Sequence, residues 1–389
     1  MYVGQTIFSQ LMEFLPRHEF QKCVHRYDGN YRVHNFSCLD QFFCMAFAQL
    51  TGRESLRDIE TCLRAMEPKL YHSGFRCTVS RSTLADANEK RNWRIYADFA
   101  QVLIRDARRL YAHDTFGAEL DQTAYALDST IIDLCLSLFP WARYQRLHGA
   151  VKLHTLIDLR GNIPCWIHIS NGKLPDFNAL DELTLEPGAI YIMDRGFNDY
   201  QRLAIFPERN AYFIIRAKRN LRCRRRSYRE IDWSTGLRSD QTIVMRTTRA
   251  LSRYPHALRY VSLWDADNAQ RMVFLSNNFV LPALTITQLY KCRWQVELFF
   301  RWIKQNLRIK AFYGTSENAV KTQIWTSISV YVLLAILKKR LALKLSLSEI
   351  QQILSIAIFE QVPIYHVLTE TQPQTGIAGS YNQLELWHL

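Results

Sequence analysis

The sequence predicts a mixed α/β fold, a sheet core set between two helical regions. Three observations predict it. Residues 1–120 carry helical periodicity and cap signals with no strong strand candidate. From about 121 the texture turns to short β-rich runs bounded by turn residues, and after Tyr290 helical patterns return. The chain has 389 residues, 48% hydrophobic and 22% charged, which suits a globular protein of two or three domains with a sizeable core.

The N-terminal elements come first. Leu39 to Leu50 is an apolar helix ended by Gly52, and Ser55 and Asp58 cap a second helix from Leu56 to Met66. A long helix is expected from the Ser80-Arg-Ser-Thr-Leu-Ala-Asp-Ala-Asn stretch to about Tyr111. Two helices, a turn region with Gly74 and a Ser/Arg/Thr-rich helix start suit a helix-turn-helix-like DNA reader. Arg81, Ser82, Thr83, Asn88 and Arg91 would then face a groove; the alternative is a plain helical domain with a wet polar face.

The strand region follows, and its core is placed at 121–220 and 284–315. Ala124 to Leu134 is a strand with Asp128 inside it. Ala150 to Leu159 and Ile163 to Ile169 flank Arg160-Gly161-Asn162, a hairpin signal. A short helix spans Phe177 to Leu183, and the buried strand Ala189 to Met193 ends at Asp194-Arg195-Gly196-Phe197. Asp199 caps a helix to Glu208, and Ala211 to Arg216 is a further strand. Strand, hairpin, short helix, strand, helix, strand is the ribonuclease-H-like order, a mixed sheet with helices against it. Asp194 sits at the C-terminal end of its strand, where open α/β sheets place their sites. Each acid also has a structural alternative. Asp128 can pair with a cation and has Asp133 as an acidic competitor, and Asp194 can cap a turn closed by Gly196.

Residues 221–283 depart from that core pattern as a β-rich insertion. The run from Arg216 to Arg229 holds eight cations and no acid, which favours phosphate contact through residues such as Arg219, Arg224 and Arg225 over a merely solvated loop. Strand-like runs then begin at Thr242, Leu258 and Arg271.

Tyr290 to Lys304 predicts a single helix, capped by Thr285 or Thr287, with no Gly or Pro between Pro282 and Gly314. At about 100° per residue, Arg293, Glu297 and Lys304 fall within about 60° of Tyr290 on one stripe, with Arg301 and Arg308 beside it. Leu289, Cys292, Val296, Phe299, Ile303 and Leu307 form an adjacent apolar stripe that faces a core. Self-pairing of Glu297 with Arg293 or Arg301 is the plain explanation. A lopsidedly basic face around one acid suits phosphate better. The region 316–389 is helical again, with helices from Asn318 to Lys338 and from Ser346 to Phe359; the tail from Glu370 is loop, with Leu384, Leu386 and Trp387 as docking side chains.

The net charge of +13 points to a polyanionic partner, nucleic acid first, with an anionic membrane surface as the rival. The most apolar run, Ile324 to Leu337, is too short to span a bilayer and contains Thr326, Ser327 and Ser329, so a core helix is expected and no membrane partner. No secretory signal pattern opens the chain. Nine scattered cysteines without a Cys-x2-Cys pair argue against a zinc ribbon and suit a reducing cytoplasm.

The spacing Tyr-x2-Arg-x3-Glu-x6-Lys at Tyr290, Arg293, Glu297 and Lys304 resembles the signature of the IS4-type insertion-sequence DDE transposases. Asp128-Ser129-Thr130 and Asp194-Arg195-Gly196-Phe197 match the contexts of that family's two aspartates. The resemblance covers nearly the whole chain, with no departure at the motif positions. It implies a helical DNA-binding N-terminal region and a ribonuclease-H-like core interrupted by a β insertion. Asp128, Asp194 and Glu297 would be its catalytic and metal-holding residues. Three carboxylates suit Mg²⁺ or Mn²⁺, two ions in this family pattern, with Asp128 shared. Tyr290, Arg293 and Lys304 would hold terminal phosphates. The implied partners are double-stranded DNA, both element ends and target, and a second copy in a synaptic homodimer. The implied location is the cytoplasm, on the nucleoid when DNA-bound. In hairpin-forming relatives an insertion aromatic stacks on a flipped base. Trp264 is the candidate here, against the alternative of a packed strand tryptophan. Two other readings stay open: a metal-dependent nuclease on the same core, and a DNA-binding relative without catalysis.

Overall fold

The computed structural model describes residues 4–116, 120, 122–146, 148–266, 268–306 and 312–370. The N-terminal helices are α1 (Ile7–Met12), α2 (Arg17–Arg26), α3 (Cys38–Thr51), α4 (Leu56–Ala65), α5 (Glu67–Leu70), α6 (Arg81–Lys90) and α7 (Arg94–Tyr111). Ser37 and Asp40 form a capping box at the start of α3, and Gly52 ends it at a φ of 63°. Ser55 and Ser80 cap α4 and α6 through their side chains.

The single helix expected from Ser80 to Tyr111 is broken. Arg91 is extended, at φ −77° and ψ 135°, and its guanidinium donates to the Phe36 and Ser37 carbonyls and to Gln41. Asn318 closes the end of α6 by donating to the Asn88 and Arg91 carbonyls. Asn88 itself is buried and accepts from Gln41 at 2.8 Å. Asn88 and Arg91 are therefore structural ties, and neither is free to face a groove. Helix α5 and a 3-10 turn lie between α4 and α6, so the pair is not joined by a short turn.

The central elements are β1 (Ala124–Leu134), β2 (Gly149–Asp158), β3 (Ile163–Asn171), β4 (Ile190–Met193), α8 (Tyr200–Leu203), α9 (Ile205–Glu208), β5 (Tyr212–Arg216), β6 (Cys223–Arg229), β7 (Leu237–Met245), α10 (Thr248–Arg253), β8 (Leu258–Asp265) and β9 (Gln270–Ser276). They make one sheet in the order β3-β2-β1-β4-β5-β9-β8-β7-β6. Strands β1, β2 and β3 form an antiparallel meander, whereas β4 and β5 run parallel to β1. This is the ribonuclease-H-like order. Gly161 at φ 74° and Asn162 at φ 57° supply the two left-handed positions of the β2–β3 turn.

The stretch after β5 does not form a separate sheet. Strand β9 pairs antiparallel with β5 (Ile214 opposite Ser276), and β8, β7 and β6 continue outward. The Arg-rich run is β6 at the far edge. Its residues Arg224–Tyr228 all face solvent, so no apolar alternation marks it as a strand in the sequence.

The remaining helices are α11 (Ala283–Cys292), α12 (Trp294–Asn306), α13 (Glu317–Arg340), α14 (Leu347–Ala357) and α15 (Ile364–Glu370). The single helix expected at Tyr290 is two, meeting at Arg293, and Pro282 rather than Thr285 or Thr287 sits at its start; the Thr287 hydroxyl instead donates to the Leu284 carbonyl. Leu289, Val296, Phe299 and Ile303 are buried as the apolar stripe requires. Helix α13 is the spine of the molecule, packing on α7 and α3. It is long and apolar enough to cross a membrane, but its most apolar window is 94% buried within the protein. Gln10 of α1 donates to the Val362 carbonyl and accepts from the Ile364 N–H, tying the first helix to the last. Leu307, Arg308 and the tail with Leu384, Leu386 and Trp387 lie outside the described residues.

Candidate active site

Strand geometry decides which acids can meet. Ala124, Ala126 and Ile132 of β1 belong to one core, under α12 and α13, and Tyr125 and Leu127 to the core on the opposite face. Alternation places Asp128 on the α12 side and Asp133 on the other, where it is exposed. Parallel pairing sets Leu127 opposite Met193, so Asp128 and Asp194 follow side by side at the ends of that register.

Both acids are oriented by nearby backbone. The Ser129 N–H donates to Asp128 Oδ1 at 2.8 Å, and the Gly196 N–H donates to Asp194 Oδ1. Arg293, at the α11–α12 junction, joins the strand to the helix. Its Nη1 donates to Asp128 Oδ2 at 2.5 Å and its Nη2 to Glu297 Oε1 at 2.5 Å. Burial pushes the Asp128 carboxyl up to about 6; Arg293 opposes that rise, and the negative charges of Asp194 and Glu297 add to it. The charges of Asp194 and Glu297 thus both reach Asp128, and one guanidinium bridges Asp128 and Glu297.

Tyr290 is buried, its ring 4.6 Å from that of Phe274 and 5.8 Å from the Arg293 guanidinium. Burial raises its phenol pKa, and Arg293 counteracts this. Lys304 is exposed near the other end of α12. Arg219 is exposed and acts electrostatically on Arg195, as does Arg216; with burial they lower the Arg195 pKa. This is a crowd of cations beside Asp194 and Tyr290. The Nε atoms of Arg195, Arg216 and Arg293 are buried and have no hydrogen-bond partner among the described residues. Arg195 and Arg216 were visible in the motif and in the basic run, but nothing in either marked them as neighbours.

Other cations lie elsewhere. Arg224 and Arg225 are exposed on β6, six strand spacings from β1, or roughly 29 Å at about 4.8 Å per spacing. Arg81 is exposed in the first turn of α6, with Ser82 and Thr83. Trp264 on β8 is 42% exposed, so it is not the packed strand tryptophan that is the commoner outcome.

The donor set suits a hard divalent cation, being all carboxylate oxygen with more negative charge than Arg293 cancels. Among the described residues, no three ligand side chains are already gathered around one point; Arg293 bridges Asp128 and Glu297 instead.

A family model described as the transposase DDE domain matches residues 119–333, and one described as a domain of unknown function matches residues 3–76. The chain belongs to the DDE transposase family, and its likeness is to the IS4-type insertion-sequence members. A putative transposase of Sinorhizobium fredii is 33% identical over 262 residues, 65% of this chain and 70% of that protein. A probable transposase for an insertion sequence element of Geobacillus stearothermophilus is 32% identical over 210 residues, 54% of this chain and 55% of that protein. Among solved structures, a piggyBac transposase synaptic complex with hairpin DNA aligns at a TM-score of 0.46 and 10% identity, covering 94% of this chain and 81% of that one.

Proposed function

We propose that this chain is the transposase of an insertion sequence, cleaving DNA at the element's ends and joining the freed strand to target DNA. Asp128, Asp194 and Glu297 are its catalytic residues, and they would hold Mg²⁺ or Mn²⁺, two ions in the family pattern. The observation that carries this reading is geometric: Asp194 follows beside Asp128 across the parallel β1–β4 register, and Arg293 bridges Asp128 to Glu297. The chemistry that divalent ions supply at such a site is activation of the attacking oxygen and stabilisation of the leaving one in an in-line displacement at phosphorus.

The protein's own groups do the rest. Ser129 and Gly196 orient two of the acids through their N–H groups. Arg195, Arg216 and Arg219, with Tyr290, Arg293 and Lys304, bind phosphates of the element end. Arg224 and Arg225 on the sheet edge and Arg81 on α6 contact flanking backbone, in a protein that works on double-stranded DNA as a homodimer in the bacterial cytoplasm. Residues 1–120 serve as the DNA-binding region, 121–220 with 284–315 as the catalytic core, 221–283 as the insertion and 316–389 as the C-terminal region. Trp264, exposed on β8, is the side chain that would stack on an unpaired base.

An excision assay in cells tests this, with a marker flanked by the element's own end DNA and the protein supplied in trans. Wild type should excise the marker and Glu297→Gln should not, while the variant still binds end DNA. Equal excision by the two proteins overturns the site assignment. No excision with either, but Mn²⁺-dependent cleavage of purified end DNA, leaves a nuclease in place of a transposase.

A further inference from the structure

Behind the two strand-borne acids stands a carboxylate that no motif marks. Asp176 Oδ1 accepts from the Ser129 hydroxyl at 2.5 Å and from Lys152 Nζ at 3.0 Å. Lys152 is buried on β2 and also donates to the Leu174 carbonyl at 2.8 Å, which pins the turn carrying Asp176. The second oxygen of Asp176 faces Gly196, where a Cβ would come within 2.8 Å of it. The 3-10 turns Asp176–Glu182 and Arg195–Phe197 pack on each other. Ser129 and Gly196 are the two residues whose N–H groups hold Asp128 and Asp194. One carboxylate therefore abuts both residues that orient the acids.

We propose that Asp176 is a positioning residue that fixes the spacing of Asp128 and Asp194 for divalent cations, acting through Ser129 and Gly196. This rests on the reading of Asp128, Asp194 and Glu297 as the ligands. Asp176 is given a positioning role rather than a ligand's because its Oδ1 is already shared by two donors. The buried Lys152 ammonium explains why the group is a carboxylate: an amide would accept the same hydrogen bonds but leave that charge unbalanced. A methyl group at Gly196 would crowd both Asp176 Oδ2 and Asp194 Oδ1, at 2.8 and 3.1 Å.

Outer-shell partners of metal ligands typically change metal affinity 10–100-fold when removed. The test is a titration of free Mn²⁺ by electron paramagnetic resonance with the full chain and no DNA. Ser129→Ala should raise the Mn²⁺ dissociation constant by about 10-fold, and Asp176→Ala by at least as much. Ser129→Ala combined with Asp176→Ala should be no worse than Asp176→Ala alone. Should Asp176→Ala fail to fold, Ser129→Ala decides, because it leaves the Lys152–Asp176 pair intact. Wild-type Mn²⁺ affinity in Ser129→Ala, alongside weakened affinity in Glu297→Gln, overturns the role of Asp176 and spares the metal site. Wild-type affinity in Glu297→Gln as well overturns the metal site itself.

Discussion

Arg293 donates to one acid on a strand and to another on its own helix, so removing it leaves two carboxylates facing each other in a half-buried place. Arg293→Ala should lower the stability of the metal-free protein by about 1–3 kcal/mol. Mg²⁺ should then raise the melting temperature of the variant more than that of wild type, and thermal melts with and without Mg²⁺ check this. His154 gives a second prediction. Its ring is fully buried on β2, bonded to Ser170 at 3.0 Å, and burial holds its pKa down to about 4 from an ordinary 6.5. Between those values the unfolded chain binds the proton and the folded chain does not. Stability is therefore complete above pH 6.5 and falls by up to about 3 kcal/mol as pH drops to 4. His154→Phe should flatten that part of a urea-midpoint profile. Asp128 and Asp194 stood out in the sequence by their strand positions and by the motif residues beside them. Asp176 did not, because its partners Ser129 and Lys152 are 47 and 24 residues away and only the sheet brings them together.

Among the elements, a buried ion pair ties β7 and β8 to the segment that leads into α11. Arg259 on β8 bonds Asp240 on β7 at 2.7 Å and also donates to the Asn278 and Leu281 carbonyls, just before α11. Both side chains are nearly inaccessible. Asp240→Ala strands the Arg259 charge and should cost about 3–5 kcal/mol. Asp181→Ala, which removes a surface partner of Arg202, should cost less than about 1 kcal/mol. Urea unfolding of the two variants separates these outcomes. The β2–β3 turn is similarly demanding: Gly161 is at φ 74°, and a Cβ there would lie 2.2 Å from the Tyr111 ring. Element boundaries were legible where a cap or glycine marks them, as at Gly52, Ser55 and Asp199. They were missed where a distant partner decides them. The break between α6 and α7 comes from Arg91 reaching carbonyls more than 50 residues earlier, and β6 is a strand only because β7 pairs with it.

For the whole molecule, the charge of +13 is distributed over separate surfaces rather than gathered at the acids. Replacing Arg224, Arg225 and Arg226 with glutamine should weaken DNA binding without regard to sequence. It should also reduce the slope of log affinity against log salt by about 0.9 for each phosphate no longer neutralised, as fluorescence anisotropy at several salt concentrations would show. An unchanged slope would remove β6 from the DNA surface. The mixed architecture was legible because strand and helix periods differ, whereas the continuity of the sheet was not, since β5 and β9 are joined by pairing across the three intervening strands. The contact from Arg293 to Asp128 spans 165 residues of chain. At a synthesis rate of about 5–20 residues per second, the strand bearing Asp128 leaves the ribosome roughly 8–33 s before Arg293 does. A nascent chain can therefore present basic surface to DNA while its carboxylates are still incomplete. Translation imposes a delay in which the unfinished product lacks Glu297 altogether, so the bridge from Asp128 to that helix waits for the chain to emerge.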